Sequence, residues 1–545
     1  MRRRDFIRTV GLTGSAAALQ PEWLFAGTTT SAATLLHPFV ASHPEAVFVV
    51  RTAVASKTAA TAKLAVGAAL GQQLFSGNDS GGLSASTRFA LKPNLTCLGG
   101  TATTARLGIV TDPDFVEGLI EGIKSGGASG RQIYMREGNL LADGYCPSNE
   151  ALAWYGPIAE RTGAMLTRFD SGRDMTARGV ARANLEEGSE VIWRDVPDGV
   201  IFRRIGYLAP VNADDAFNLN IAKFKAHGMG LTLTSKNWQG TNISPYVHYC
   251  SSVPGQINDG LPRDHLNPNY REDVTALHQR HLEGGVPRWD RPGTIDNWNS
   301  GAGMETWVQK TLDNHAASTP GLHIIEGIFG RDGNWMDGPH GGASKDFMTN
   351  VVIFGANPFL VDIIGHWMGG HEPGNVGLFH SALDRGLVDR LDPSTIPLYD
   401  WNDGIPQLSD LQDFTRTPLQ TYYLQRDYAG QSESRWHLLD EPFQYPVVTA
   451  VAETESRPQV MALGQNYPNP FNAQTMIEYR LPRGGNARVE IYDNIGQRIT
   501  VLVDGTHAAG AHTVGWDARH QASGTYYYRL LTNGFQETRK MVLLR

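Results

Sequence analysis

The two segments that decide the fold are residues 87–94, TRFALKPN, and residues 112–135, DPDFVEGLIEGIKSGGASGRQIYM. The first is a short apolar run, Thr87 to Leu91, that ends in Lys92, Pro93 and Asn94. In the second, Phe115, Val116, Leu119, Ile120 and Ile123 recur with the spacing of one helix face. Asp112 followed by Pro113 supplies an N-cap and a first-turn proline, and Gly126, Gly127 and Gly130 stop the helix. Gln132 to Met135 reads as a second strand, which runs into Arg136 and Glu137. Strand, helix and strand in this order predict an α/β core with a mainly parallel sheet. Ligands of such sheets bind beyond the carboxyl ends of the strands, where Lys92, Asn94, Arg136 and Glu137 fall.

A third strand is expected over Ala216 to Ile221, running into Lys223, Phe224, Lys225, Ala226, His227 and Gly228, with Thr234, Ser235, Lys236 and Asn237 close behind. The cluster reads equally as a solvated basic turn or as a place that holds an anion. Lysines beside glycines suit a phosphate or carboxylate, because glycine lets backbone N–H groups approach. Eleven of the 17 histidines lie between His227 and His380, against a chance share of about five, which points to a working histidine in that window. His278 and His281 share a face of a helix expected from near Asp273, which reads first as the polar face of a surface helix and second as a pair of ligands for a metal. His366 stands four residues after Asp362, so the carboxylate is expected to hold its ring. Residues 241 to 320, with Trp289, Trp298 and Trp307, read as a long excursion over the sheet edge, its aromatics packing on the core or stacking on a ligand.

The 545 residues allow more than one globular unit. A formal charge of -8 gives no footprint for nucleic acid. Three separated cysteines, Cys97, Cys146 and Cys250, form no local iron–sulfur or cysteine-type zinc motif. No G-x-G-x-x-G, G-x-S-x-G or H-E-x-x-H pattern points to a dinucleotide enzyme, a serine hydrolase or a zinc protease. No cofactor is assigned, although the histidines are compatible with a divalent metal.

The ends of the chain read as addresses. Arg2, Arg3, Arg4, Asp5, Phe6, Ile7 and Arg8, followed by a weakly apolar stretch from Val10 to Leu19, resemble a twin-arginine export signal, here taken as residues 1–33. No later stretch is apolar for long enough to cross a bilayer, so no transmembrane helix is expected in the mature protein. The expected core covers residues 47–446 and a linker covers 447–462. Six strand-like segments punctuated by turn signals then predict a small all-β immunoglobulin-like sandwich over 463–545. Asn466 to Asn472, Ile491 to Asp493, Gly510 to Trp516, Gly524 to Tyr528 and Lys540 to Arg545 resemble the type A C-terminal sorting domain of the type IX secretion system. That resemblance implies delivery to the cell surface or medium, with the twin-arginine translocase and the type IX machinery as partners.

The core also resembles a family. Lys92-Pro93-Asn94, Thr111 to Pro113, Lys225, His227, Lys236-Asn237, Gly240, Leu322 to Gly327, Gly333, Gly338-Pro339, Asn357-Pro358, Val361-Asp362 and Gly369 occur in the order of the domain of unknown function 362. Ala226 stands where that family often has threonine, and Glu326 and Asn357 stand where it has aspartate. The reading that follows is an exported α/β protein that binds a small anionic ligand and acts on it. Lys92, Lys225 and Lys236 neutralise the anion, Asn94 and Asn237 orient it, His227 serves as general base or metal ligand, and Asp362 orients or charge-balances the set, with His227, Lys225 and Asp362 as the catalytic group. The alternative is a non-catalytic surface ligand-binding protein. A redox protein is a third reading, and the cysteine count argues against its iron–sulfur form.

Overall fold

The computed structural model describes residues 35–75, 87–96, 101–137, 151–166, 191–243, 246, 253–258, 260–428, 431–445, 462–481, 485–507, 510–532 and 535–544. The twin-arginine segment, nearly all of the 447–462 linker and all three cysteines lie outside the described residues. The chain divides into two compact units, one ending at Tyr445 and one beginning at Pro446.

Twelve strands of the first unit frame the site. They are β1 (Val47–Arg51), β2 (Arg88–Pro93), β3 (Ile133–Met135), β4 (Met165–Leu166), β5 (Val191–Asp195), β6 (Arg204–Leu208), β7 (Ala216–His227), β8 (Gly230–Thr232), β9 (Gly321–Gly338), β10 (Gly342–Gly355), β11 (Leu398–Asn402) and β12 (Ile405–Ser409). Ten of them form one sheet in the order β12-β11-β1-β10-β9-β7-β2-β3-β4, with β8 paired to β7. From β9 to β4 every pairing along that order is parallel. The expected β2/β3 pair is present, with Phe89 opposite Ile133 and Leu91 opposite Met135.

The helix between them runs Pro113–Ser125 and is capped as its sequence predicts, the Asp112 carboxylate accepting from the N–H groups of Asp114 and Phe115. Its apolar stripe is wholly buried on the sheet with Phe89, Leu91, Ile133 and Met135. The opposite face meets the helix Ala60–Phe75 along a seam of glycines. A Cβ on Gly118 would stand 2.0 Å from the Leu64 carbonyl, so only glycine admits this approach.

The excursion carries the helices Val253–Asn258, Tyr270–Glu283 and Gly301–Ala316. Trp289 and Trp307 are buried and pack it down, while Trp298 stays 37% exposed. No helix among the described residues is long and apolar enough to cross a membrane.

The second unit is the expected sandwich. Ala462–Leu463, Gln474–Leu481 and Gly510–Asp517 form one antiparallel sheet, and Arg498–His507, Gly485–Tyr492, Gly524–Thr532 and Phe535–Leu543 the other. Phe471, Ile477, Val489, Trp516, Tyr528 and Met541 fill its core.

Candidate functional site

The segment read as a basic turn is strand. β7 continues past Ile221 to His227, turns through Gly228 and Met229, and returns as β8 with Lys225 opposite Thr232 and His227 opposite Gly230. Alternation explains how the charged residues are accommodated. Phe224 and Ala226 face the apolar cluster that contains Leu231, Leu233, Ile363 and Ile364. Lys223, Lys225 and His227 project to the other face, and Thr232, directly opposite Lys225, shares it.

At the end of this hairpin two buried polar atoms, His227 Nδ1 and Thr232 Oγ1, have no hydrogen-bond partner among the described residues. Burial, with the Lys236 and Lys225 charges adding, holds the His227 imidazole well below its ordinary pKa of 6.5, so it is neutral near pH 7. Lys225 is buried and Lys236 is half-buried.

Lys236 and Asn237 sit on a four-residue helical turn, Thr234–Asn237, which Asp362 fixes from the helix Pro358–Met368. The Asp362 carboxylate accepts from Thr234 N (2.8 Å), Thr234 Oγ1 (2.6 Å), Ser235 N (2.8 Å) and Ser235 Oγ. Burial pushes its pKa up to about 6 while these four donors pull the other way.

Lys92 donates to Glu137 Oε2 (2.6 Å), the Pro93 carbonyl (2.9 Å) and Asn237 Oδ1 (3.0 Å), which engages all three ammonium protons. Burial lowers its pKa, Glu137 opposes the shift, and the Lys236 charge adds to it. The Asn237 amide nitrogen donates to the Lys92 carbonyl (3.1 Å) and Asn220 Oδ1 (2.8 Å). Gly240 lies against this pair, where a Cβ would come within 2.4 Å of Lys92 Cε and 2.3 Å of Glu137 Oε1. Asn94 is turned to local backbone, its Oδ1 accepting from Thr96 N at 3.3 Å. The Lys225 and Lys236 charges thus both bear on His227, while Lys92, Asn237 and Asp362 are engaged with Glu137, Asn220 and the turn that carries Lys236.

Behind the site lies a buried charge network that the sequence did not reveal. Lys223 pairs with Glu326 at 2.7 Å and Lys63 with Asp112 at 2.6 Å, and these four side chains are at most 1% exposed. Glu326 Oε2 also accepts from Asp112 N (2.9 Å), and the Lys223 ammonium lies 3.4 Å from the Phe329 ring centroid. Burial and the adjacent Glu326 raise Asp112 above the usual carboxylate range.

The other histidine expectations need correction. His278 Nε2 meets the Trp289 carbonyl (2.8 Å) and His281 Nδ1 meets Glu305 Oε2 (2.8 Å), so each ring has its own partner and the two do not form a shared grip. No group of three or more His, Cys, Asp or Glu that could hold a metal ion occurs among the described residues. His366 is held by the backbone carbonyl of Asp362 (2.8 Å), because the carboxylate is already committed to Thr234 and Ser235. Leu231 N donates to His366 Nε2 (3.2 Å), which places the ring proton on Nδ1.

Burial lowers the pKa of His366 from 6.5 to about 4. Its contribution to stability is therefore full above pH 6.5 and lost as pH falls toward 4. The cost of His366→Gln, measured as the difference in urea midpoint from wild type, should shrink across that window.

With this geometry in place, comparison with known proteins locates the chain. The family described as "Domain of unknown function (DUF362)" matches residues 89–366, just over half of the sequence. The chain belongs to the DUF362 family. The DUF362 span contains Lys92, Asn94, Lys225, His227, Lys236, Asn237 and Asp362. Of its departures, Glu326 sits in the buried network, and Asn357 caps the helix Pro358–Met368 by accepting from Phe359 N and Leu360 N.

A secretion system C-terminal sorting domain matches residues 465–544, which makes this DUF362 protein a secreted or cell-surface protein of the type IX system. Two solved structures are similar over a small part of the chain. Dimeric latent PorU from Porphyromonas gingivalis is 23% identical over 15% of this chain and 9% of its own, with a TM-score of 0.13. PorZ, described as an essential surface component of the type IX secretion system of the same organism, is 18% identical over 17% of this chain and 13% of its own, also with a TM-score of 0.13. The chain thus spans 9% and 13% of these structures. No curated protein matches.

Sequence reasoning missed Thr232 and Lys63, and singled out Glu326 only as a departure from the family pattern. Only Thr232 left a signal, the Gly228-Met229-Gly230 turn between two alternating segments, which is a hairpin pattern.

Proposed function

We propose that the core of this DUF362 protein binds a small carboxylate or phosphate at the end of the β7–β8 hairpin, and that His227 acts on it as a proton acceptor. The observation that carries the reading is the pair of unpartnered buried atoms, His227 Nδ1 and Thr232 Oγ1, beside Lys225 and Lys236. Buried polar atoms are nearly always paired in native proteins, so two orphans next to two cations favour an anionic partner. Lys236 and Lys225 supply the charge, and the neutral imidazole of His227 is in the protonation state a general base needs. Lys92, Asn94, Asn237 and Asp362 are positioning residues in this reading. The twin-arginine segment would carry the folded core across the inner membrane before type IX delivery.

Inorganic phosphate, sulfate and citrate test the site in thermal unfolding of the full chain. A ligand that binds only the folded state raises its melting temperature by mass action. At least one of the three should do so for wild type, and none should for Lys236→Ala, a substitution that breaks no hydrogen bond or ion pair among the described residues. Equal stabilisation of wild type and Lys236→Ala would refute the assignment.

A further inference from the structure

An aromatic corner adjoins the hairpin tip and is not used by anion binding alone. The His227 ring lies 6.3 Å from the Tyr422 ring, centroid to centroid. Tyr422 meets Trp298 edge to face at 6.2 Å and Trp436 edge to face at 5.1 Å. Gly228 packs the tip directly against the corner, since a Cβ there would stand 2.5 Å from the Tyr422 ring and 3.1 Å from Trp298. The backbone is tied as well, Thr421 Oγ1 donating to the His227 carbonyl.

Trp298 is 37% exposed, whereas Trp289 and Trp307 of the same excursion are buried. The rim of the corner is polar and cationic. Arg435 lies over Tyr422 (5.8 Å) and Trp436 (5.4 Å) and pairs with Asp337 at 3.0 Å, and Asn334 Nδ2 donates to Tyr422 OH at 3.2 Å.

We infer that the anion is carried on a sugar ring, so that the ligand is an acidic carbohydrate, a uronate or a sulfated pyranose. This inference rests on the anion-binding reading above. The Tyr422 ring makes interplanar angles of 86° with Trp298 and 81° with Trp436, so it meets each tryptophan as a corner. A pyranose suits a corner, because it offers an apolar C–H face to an aromatic ring and hydroxyl groups to polar neighbours such as Asn334, Asp337 and Arg435. Its acid group then reaches Lys236 and His227 across Gly228. An amphipathic aromatic wall beside a cationic end is the complement of that ligand.

The test uses calorimetric titration of the full chain with hexasaccharides prepared from polygalacturonate, alginate and heparin, with a neutral dextran hexasaccharide and inorganic phosphate and sulfate as references. At least one acidic hexasaccharide should bind wild type about tenfold or more tighter than the neutral one and than either free anion, a factor equal to 1.4 kcal/mol. Trp298→Ala should lose that advantage and keep its affinity for the free anion, whereas Lys236→Ala should lose both. Free-anion binding with no gain for any acidic hexasaccharide would overturn the carbohydrate inference and leave the anion site standing. So would unchanged hexasaccharide affinity in Trp298→Ala. Failure of every ligand, free anions included, would overturn both.

Discussion

Lys223→Ala should lower the free energy of unfolding by about 3–5 kcal/mol, the usual cost of removing one partner of a buried ion pair. The side chain is fully buried and donates to Glu326 at 2.7 Å, so its loss leaves Glu326 beside Asp112 with Lys63 as the remaining cation of the network. Four separate elements would feel the change, because Lys63, Asp112, Lys223 and Glu326 come from the helix Ala60–Phe75, the cap of Pro113–Ser125, β7 and β9. The double variant Lys223→Met/Glu326→Leu should recover only part of the loss, since it removes the unpaired charge but leaves the N–H groups of Asp112 and Ile328 without the acceptor that Glu326 supplies. Urea unfolding at pH 7 of the two variants and wild type checks both expectations. A single variant within about 1 kcal/mol of wild type would mean that surface-like solvation reaches this pair.

The second large effect is expected at Asp362, with two readouts. Asp362→Ala leaves the buried N–H groups of Thr234 and Ser235 without the acceptor they share, and each abandoned donor costs roughly 1–3 kcal/mol. Urea unfolding should therefore show a loss of at least about 2 kcal/mol from these two groups. The same turn carries Lys236, so the variant should also lose stabilisation by phosphate, sulfate or citrate while its far-ultraviolet dichroism stays native. Retained anion response in Asp362→Ala would show that Lys236 holds its place without this cap.

The parts of the fold that follow local rules were legible in the sequence. Asp112-Pro113 announces its helix because a cap and a first-turn proline are local chemistry, and the sandwich strands show because their alternation is bounded by turn residues. The end of β7 was not legible for the opposite reason. Lys223 and Lys225 look solvated in a short window, and what allows Lys223 to be buried is Glu326, 103 residues away. The role of Asp362 was hidden in the same way. A carboxylate four residues before His366 suggests a local pair, yet its four donors come from Thr234 and Ser235, 128 and 127 residues back. Lys92, Lys236 and His227 were singled out because each was expected beyond the carboxyl end of a strand, whereas Lys92 lies within β2 and His227 closes β7. Which of them is open and which is engaged depended on Glu137 and Asn237, and so on the tertiary structure.

The most direct measurement is the nitrogen NMR spectrum of histidine-labelled protein titrated with phosphate, sulfate and citrate in turn. The His227 ring signals, assigned through His227→Gln, should start as those of a neutral imidazole at pH 7 and move on addition of at least one anion. Those of His366, held by Asp362 and Leu231, should stay fixed. A His227 signal that is already that of a charged ring, or that ignores all three anions at saturating concentration, would contradict the account.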